Sequence, residues 1–142
     1  MPVHKQQKFR NEDGACKHCG TPEYAMHLGE CPIYLVDVQH FYLSQRVHDE
    51  TRAQLDKWDI QNHPMGTYNT GETKARADQA RALTDQRAKD GTLTYRDILE
   101  EEFFEALAEE GPSEELEDEL IQTAAVAVSM AAASRRARGV LK

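Results

Sequence analysis

Residues 94–134 read TYRDILEEEFFEALAEEGPSEELEDELIQTAAVAVSMAAAS, and the fold follows from how this stretch divides. Thr94 is a good N-cap, and Asp97 stands three residues on, where a capping box needs a side-chain acceptor. A helix is predicted from Tyr95 to about Glu110. Gly111-Pro112-Ser113 makes the turn, and Ser113 caps a second helix whose first turn is acidic, as the positive end of a helix dipole favours. That helix is predicted over Glu114 to about Arg136. Arg135, Arg136 and Arg138 lie at its C-terminal end, which favours cations, and Gly139 terminates it. So short a turn makes the two helices antiparallel neighbours.

The placement of charge on these helices raises the chemical question. Asp97 to Glu119 holds twelve carboxylates and no Lys or Arg. At about 100° per residue, Glu102, Glu105 and Glu109 fall on one narrow face with Ile98, while Leu99, Phe103 and Leu107 form another. On the second helix Glu119, Gln122 and Val126 group together, and Leu120, Ile121, Ala124, Ala125 and Val128 cover the rest. A helix apolar nearly all round is expected to be buried, with Glu119 and Gln122 buried too or edging a cavity. Facing carboxylates repel in a dry interior, and a hard divalent cation with oxygen ligands resolves that repulsion. The alternatives are a hydrated acidic surface, or a salt-bridged face for which the segment itself carries no base.

Upstream, residues from Ile33 to about Ile60 contain no Gly or Pro, and their apolar positions recur at mostly helical intervals. One long helix is predicted, with Asp49 as the point where a break would fall. QNHPMGTYNTG, residues 61–71, is a loop. Glu72 to Lys89 is rich in Ala and Arg with few large apolar residues, so it is expected to be an exposed or mobile helix, closed by Asp90-Gly91. Nothing reads as a strand. The fold class is all-α, a helical bundle with a small N-terminal metal module, residues 1–32, ahead of a helical domain, residues 33–142.

The module is read from its cysteines. CKHCGTPEYAMHLGEC contains Cys16, Cys19 and Cys31, an odd and clustered set that does not suit a disulfide framework. Cys16 and Cys19 form a C-x2-C pair, and His27 precedes Cys31 by one helical turn. Zn2+ favours four tetrahedral thiolate and imidazole ligands, so these four are the expected set for a structural zinc, with His18 and His4 as spares. The bland alternative is three reduced thiols in a loop-rich segment. Lys5, Lys8, Arg10 and Lys17 face Glu12, Asp13, Glu23 and Glu30 in the same module, which permits nucleic-acid binding but does not require it.

The whole chain of 142 residues is long enough to bury a core without disulfides. Its net charge of −8 excludes bulk attraction to nucleic acid or anionic lipid. Its mean hydropathy is −0.73, and the longest uncharged stretch, Leu120 to Ser134, is too short to span a bilayer. The N-terminus has no apolar signal core, so a cytoplasmic protein without membrane contact is expected.

Glu101-Glu102-Phe103-Phe104-Glu105 is an E-E-x-x-E motif, and Glu119-Leu120-Ile121-Gln122 follows after thirteen residues, leading into TAAVAVSMA. Over residues 94–134 the chain resembles the MazG-like branch of the all-α NTP pyrophosphohydrolases, whose pattern is E-E-x-x-E followed by E-x-x-D on the next helix of a four-helix bundle. The resemblance extends weakly to KWDIQNHPMGT at the end of the first helix; the cysteine module lies outside it. It implies Mg2+ or Mn2+ held by Glu102, Glu105 and Glu119, with Glu101 a neighbouring ligand or an orienter of the attacking water. Gln122 stands where the family has Asp; its amide oxygen coordinates without charge and cannot act as a base. Glu115-Leu116-Glu117-Asp118 also spells E-x-x-D, but too close to the turn.

The activity implied is hydrolysis of a nucleoside triphosphate to a monophosphate and pyrophosphate, by a homo-oligomer, dimer or tetramer. Lys57, Lys74, Arg76 and Lys89 are candidate phosphate partners. Trp58 is a candidate base-stacking platform, with Gln61 and Asn62 to read the base edge; the competing reading of Trp58 is a core or interface anchor. Two other classes stay open: a non-catalytic zinc-finger binding protein, and a zinc-dependent regulator using Lys5, Lys8 and Arg10 on DNA.

Overall fold

The computed structural model describes residues 11–13, 15–20 and 31–140, with the side chains of 33 and 34 excepted. His27, His4, Lys5, Lys8, Arg10, Glu23 and Glu30 lie outside the described residues. The described chain is all-helical: α1 Pro32–Trp58, α2 Gly71–Asp90, α3 Tyr95–Ala108 and α4 Glu114–Ala137. The elements pack in a row, α2 on α3, α3 on α4, and α4 on α1.

Local chemistry sets the ends. Cys31 is the N-cap of α1, and Pro32 fills its first turn, where a missing N–H costs nothing. No break occurs at Asp49; α1 is one continuous helix. Thr94 and Asp97 close a capping box at the start of α3, and the Ser113 hydroxyl accepts from the Leu116 N–H at the start of α4. A further capping box, Thr70 with Thr73, starts α2, and Gly91 at φ 71° ends it in the left-handed conformation that glycine adopts without strain. The α3–α4 turn is tight: a Cβ on Gly111 would overlap the Leu116 side chain, and Met65 from the α1–α2 loop lies against the same spot.

One expectation is met with an addition, and one is corrected. The α2 helix is largely exposed, as its composition suggests, but it is docked. Thr73, Ala77, Ala80, Thr84 and Arg87, spaced at helical intervals, are its more covered positions, with Ala77 buried. Polar bonds fasten it: Thr84 donates to the Asp97 carbonyl oxygen at 3.3 Å, and Arg87 pairs with the Asp97 carboxylate. Small side chains permit close approach, and the ion pairs supply what apolar area does not.

The correction concerns α4. It is not buried all round. Leu116 and Ala132 are buried, but Leu120 is 49% and Ile121 58% exposed. The row-like packing covers one side of α4 with α3 and α1 and leaves the remainder without a partner among the described residues. On α1, Phe41, Tyr42, Val47 and Leu55 are likewise exposed, and between the two helices runs an apolar groove of about 580 Å³ lined by Leu43, Val47, Ala124, Ala127, Val128 and Ala131. The α1–α4 junction is pinned at its far end by polar contacts. Arg136 donates to the buried Gln39 side chain at 3.2 Å, and the Arg135 guanidinium lies 4.7 Å from the Tyr42 ring centre. No described helix is long and apolar enough to cross a membrane.

Candidate functional site

The acidic site is built where α2, α3 and α4 meet. The E-E-x-x-E spacing puts Glu102 and Glu105 on one side of α3, one turn apart, and the Gly111–Ser113 turn brings Glu119 of α4 opposite. One carboxylate oxygen from each of Glu102, Glu105 and Glu119 lies within 4.8 Å of the others. All three side chains are partly buried. The Oε2 atoms of Glu102 and Glu119 are shielded from water and have no hydrogen-bond partner among the described residues. A buried carboxylate oxygen left unpaired carries a desolvation cost that a cation would relieve.

The electrostatics agree with the geometry. Burial pushes the Glu102 carboxyl above its ordinary range, and Glu105, Glu119 and Glu101 add like-charge repulsion. Burial also raises Glu119, reinforced by Glu105 and Glu109. In both cases Arg81 opposes the shift.

Arg81 is the residue that sequence reasoning missed. The acidic segment has no base of its own, but α2 supplies one. The Arg81 Nη2 donates to Glu105 Oε1, and its Nε lies 3.7 Å from Glu101 Oε1. The salt-bridged alternative is therefore partly realised, for Glu101 and Glu105 and not for the orphaned oxygens of Glu102 and Glu119. The only signal in the sequence was Arg81 on the same strip of α2 as Lys74 and Ala77, readable only once the packing of α2 on α3 is known.

Beside the cluster opens a polar cleft of about 180 Å³. Asn69, Lys74, Ala77, Asp78 and Arg81 line one wall, and Glu105, Ala108, Glu109 and Glu119 the other. Lys74 also pairs with Asp78 at 3.5 Å, both well exposed.

Trp58, Lys57, Gln61 and Asn62 do not line this cleft. Trp58 is half exposed at the end of α1, with the Lys57 ammonium 4.5 Å from its ring centre. Gln61 Oε1 is bonded to His63 Nε2 at 3.2 Å, and Asn62 is exposed. Arg76 pairs with Glu72 on the outer surface of α2. Gln122 is exposed, one turn beyond Glu119.

A second cluster lies at the start of the chain. The sulfurs of Cys16, Cys19 and Cys31 lie within 4.8 Å of one another and form no disulfide. Cys16 Sγ and Cys31 Sγ are 3.9 Å apart, and the His18 backbone N–H points at Cys16 Sγ at 3.4 Å. Tetrahedral zinc with Zn–S bonds of about 2.3 Å places its sulfurs about 3.8 Å apart, so the spacing suits a bound metal and is far outside disulfide length. Gly20, at φ 71°, closes the turn after Cys19 by donating to the Cys16 carbonyl at 2.8 Å. Three cysteines thus stand close enough to hold a metal ion. His27 as the fourth ligand lies outside the described residues.

No protein-family model, curated protein or solved structure matches the chain.

Proposed function

We propose that this chain is a Mg2+- or Mn2+-dependent nucleoside triphosphate pyrophosphohydrolase of the MazG-like kind, carrying a structural zinc module. One observation carries the proposal: three glutamates from two antiparallel helices converge within 4.8 Å, two of them with buried, unpartnered oxygens. Glu102, Glu105 and Glu119 would hold the cation. When bound, it neutralises charge on the phosphoryl oxygens and lowers the pKa of water. Glu101, at the edge of the cluster, would orient the attacking water and accept its proton. Hydrolysis between the α and β phosphates gives a monophosphate and pyrophosphate. The zinc, held by Cys16, Cys19, Cys31 and a fourth ligand expected to be His27, would stitch the N-terminal segment to the head of α1.

The uncovered apolar faces of α1 and α4 support a homo-oligomer, with a second copy closing the bundle. Three reduced cysteines suit a cytoplasmic setting.

A pyrophosphate-release screen over canonical and modified triphosphates, with Mg2+ and with Mn2+, tests the proposal. Activity lost in Glu102→Gln and Glu119→Gln supports it. The second reading, a non-catalytic zinc-finger binding protein, is favoured by the Arg81 ion pairs, which neutralise part of the acidic face without any metal. It stands if no triphosphate is cut and neither cation binds.

A further inference from the structure

Arg81 is held by the carboxylates that a cation would use, yet it is itself 58% exposed, while Glu101 and Glu105 are 18% and 16% exposed. Its guanidinium therefore sits at the mouth of the acidic cluster, on the solvent side of the glutamates. It also lines the polar cleft, on the same wall as Lys74, two turns earlier on α2. Arginine presents a planar fork that pairs carboxylates and phosphates alike. A cation arriving at Glu105 competes with Arg81 for the charge of the same carboxylate. Once displaced, the guanidinium has a full set of donors, an open cleft in front of it and a second cation on the same wall.

Resting on the metal-dependent reading above, we propose that Arg81 exchanges partners, pairing Glu105 and Glu101 in the free protein and the polyphosphate of the substrate once a divalent cation has taken Glu105. The exchange makes binding ordered, with cation before polyphosphate. Without the cation the cleft is lined by Asp78, Glu105, Glu109 and Glu119 against Lys74 and Arg81, and it repels an anion. Arg81 is then a substrate-binding residue whose metal-free pose masks it. Lys74 is its companion on the same wall, while Arg76, paired with Glu72 on the far surface, is not.

The exchange has opposite effects on two affinities, which a merely structural arginine does not produce. Arg81→Gln removes the competitor and the positive charge at the cation site, so Mn2+ binds several-fold more tightly. The same change removes a charge-assisted phosphate contact, so binding of inorganic tripolyphosphate to the Mn2+-loaded protein weakens by about tenfold or more. Arg81→Lys restores part of the second effect. Arg96→Gln, which removes an exposed charge paired with Glu100, leaves both unchanged.

Mn2+ binding is followed by electron paramagnetic resonance on the full chain, and tripolyphosphate by calorimetry. If Mn2+ binds the wild type, binding is lost in Glu119→Gln, and Arg81→Gln moves only one affinity or neither, the exchange is overturned while the metal site stands. If Mn2+ binding is absent or is indifferent to Glu119→Gln, the metal-dependent reading falls, and the exchange with it.

Discussion

Replacing Glu119 by glutamine exchanges one oxygen for an amide nitrogen and removes one charge from a half-buried trio, so it separates a strained metal site from an ordinary acidic surface. The donor oxygens lie within 4.8 Å of one another. Two unit charges at that distance repel by about 3.5 kcal/mol at an effective dielectric of 20, and by about 0.9 kcal/mol in bulk water. Glu105 is already offset by Arg81, so the uncompensated pair across the α3–α4 junction is Glu119 with Glu102. Partial burial sets the relief at about 1–3 kcal/mol, between those limits. For a domain of this size that is a rise in Tm of about 3–10 °C in the metal-free protein. The amide nitrogen that Glu119→Gln introduces can also donate to a neighbouring carboxylate, which adds to the gain.

Cation binding works against that gain. A ligand at a hundredfold excess over its Kd stabilises by about 2.7 kcal/mol. Millimolar Mg2+ or Mn2+ should therefore raise the Tm of the wild type and leave Glu119→Gln nearly unmoved. Differential scanning fluorimetry in chelator-treated buffer, followed by cation titration, gives both numbers. If Glu119→Gln lowers the metal-free Tm and neither protein responds to cations, the carboxylates are not held in repulsion, and the reasoning fails.

Because Glu102 and Glu119 are raised above their ordinary value of 4.5, they bind protons more readily in the folded state. Metal-free stability in urea titrations should accordingly increase as pH falls from neutral toward 5, and Mg2+ should flatten that slope. Asp97 is shifted the other way, chiefly by its hydrogen bond from Thr94, so its contribution is present above pH 3.8 and is lost as pH falls below that value. Thr94→Ala removes the α3 N-cap and should cost about 1 kcal/mol in the same titration. Elemental analysis should find one zinc per chain, lost in Cys16→Ser and Cys31→Ser; a normal zinc content in either variant would refute the thiolate site. Light scattering should find an oligomer that Val47→Glu dissociates, since Val47 lines the α1–α4 groove.

The helix ends were legible because capping is local. Thr94 with Asp97 and Ser113 with Leu116 lie within one turn of chain, and the structure places both caps where the spacing put them. The Thr70–Thr73 box escaped notice because its third position is Thr and not Glu or Gln. Helical periodicity grouped Glu102 and Glu105 with Glu109 and the short turn made α4 their neighbour, while the choice of Glu119 as the third member came from the resemblance to the MazG-like pattern. Arg81 could not, because its bond to Glu105 spans twenty-four residues and depends on how a nearly featureless α2 docks. The burial of α4 was over-read for a related reason. Its composition would suit burial on every side, whereas α1 and α3 cover only part of it and the second copy proposed above would have to cover the rest.

The charge balance of the cleft joins these points. A chain of net charge −8 has little general attraction for a polyphosphate, and the cleft repeats that imbalance locally, with four carboxylates on its walls against Lys74 and Arg81. If the acids were present only for solubility, they would point outward and be hydrated, as Glu114 and Glu117 do at the exposed start of α4. If they were present only to be salt-bridged, one arginine would not face four clustered glutamates, two of them with buried oxygens that it does not bond. The divalent cation proposed above would answer both objections, since it would pair the remaining oxygens and offset the charge that makes the cleft repel anions. On the proposed reading, the acidity of this protein and an anionic substrate would be reconciled by such an ion or by locally placed bases, and the half-exposed Arg81 stands where both would act.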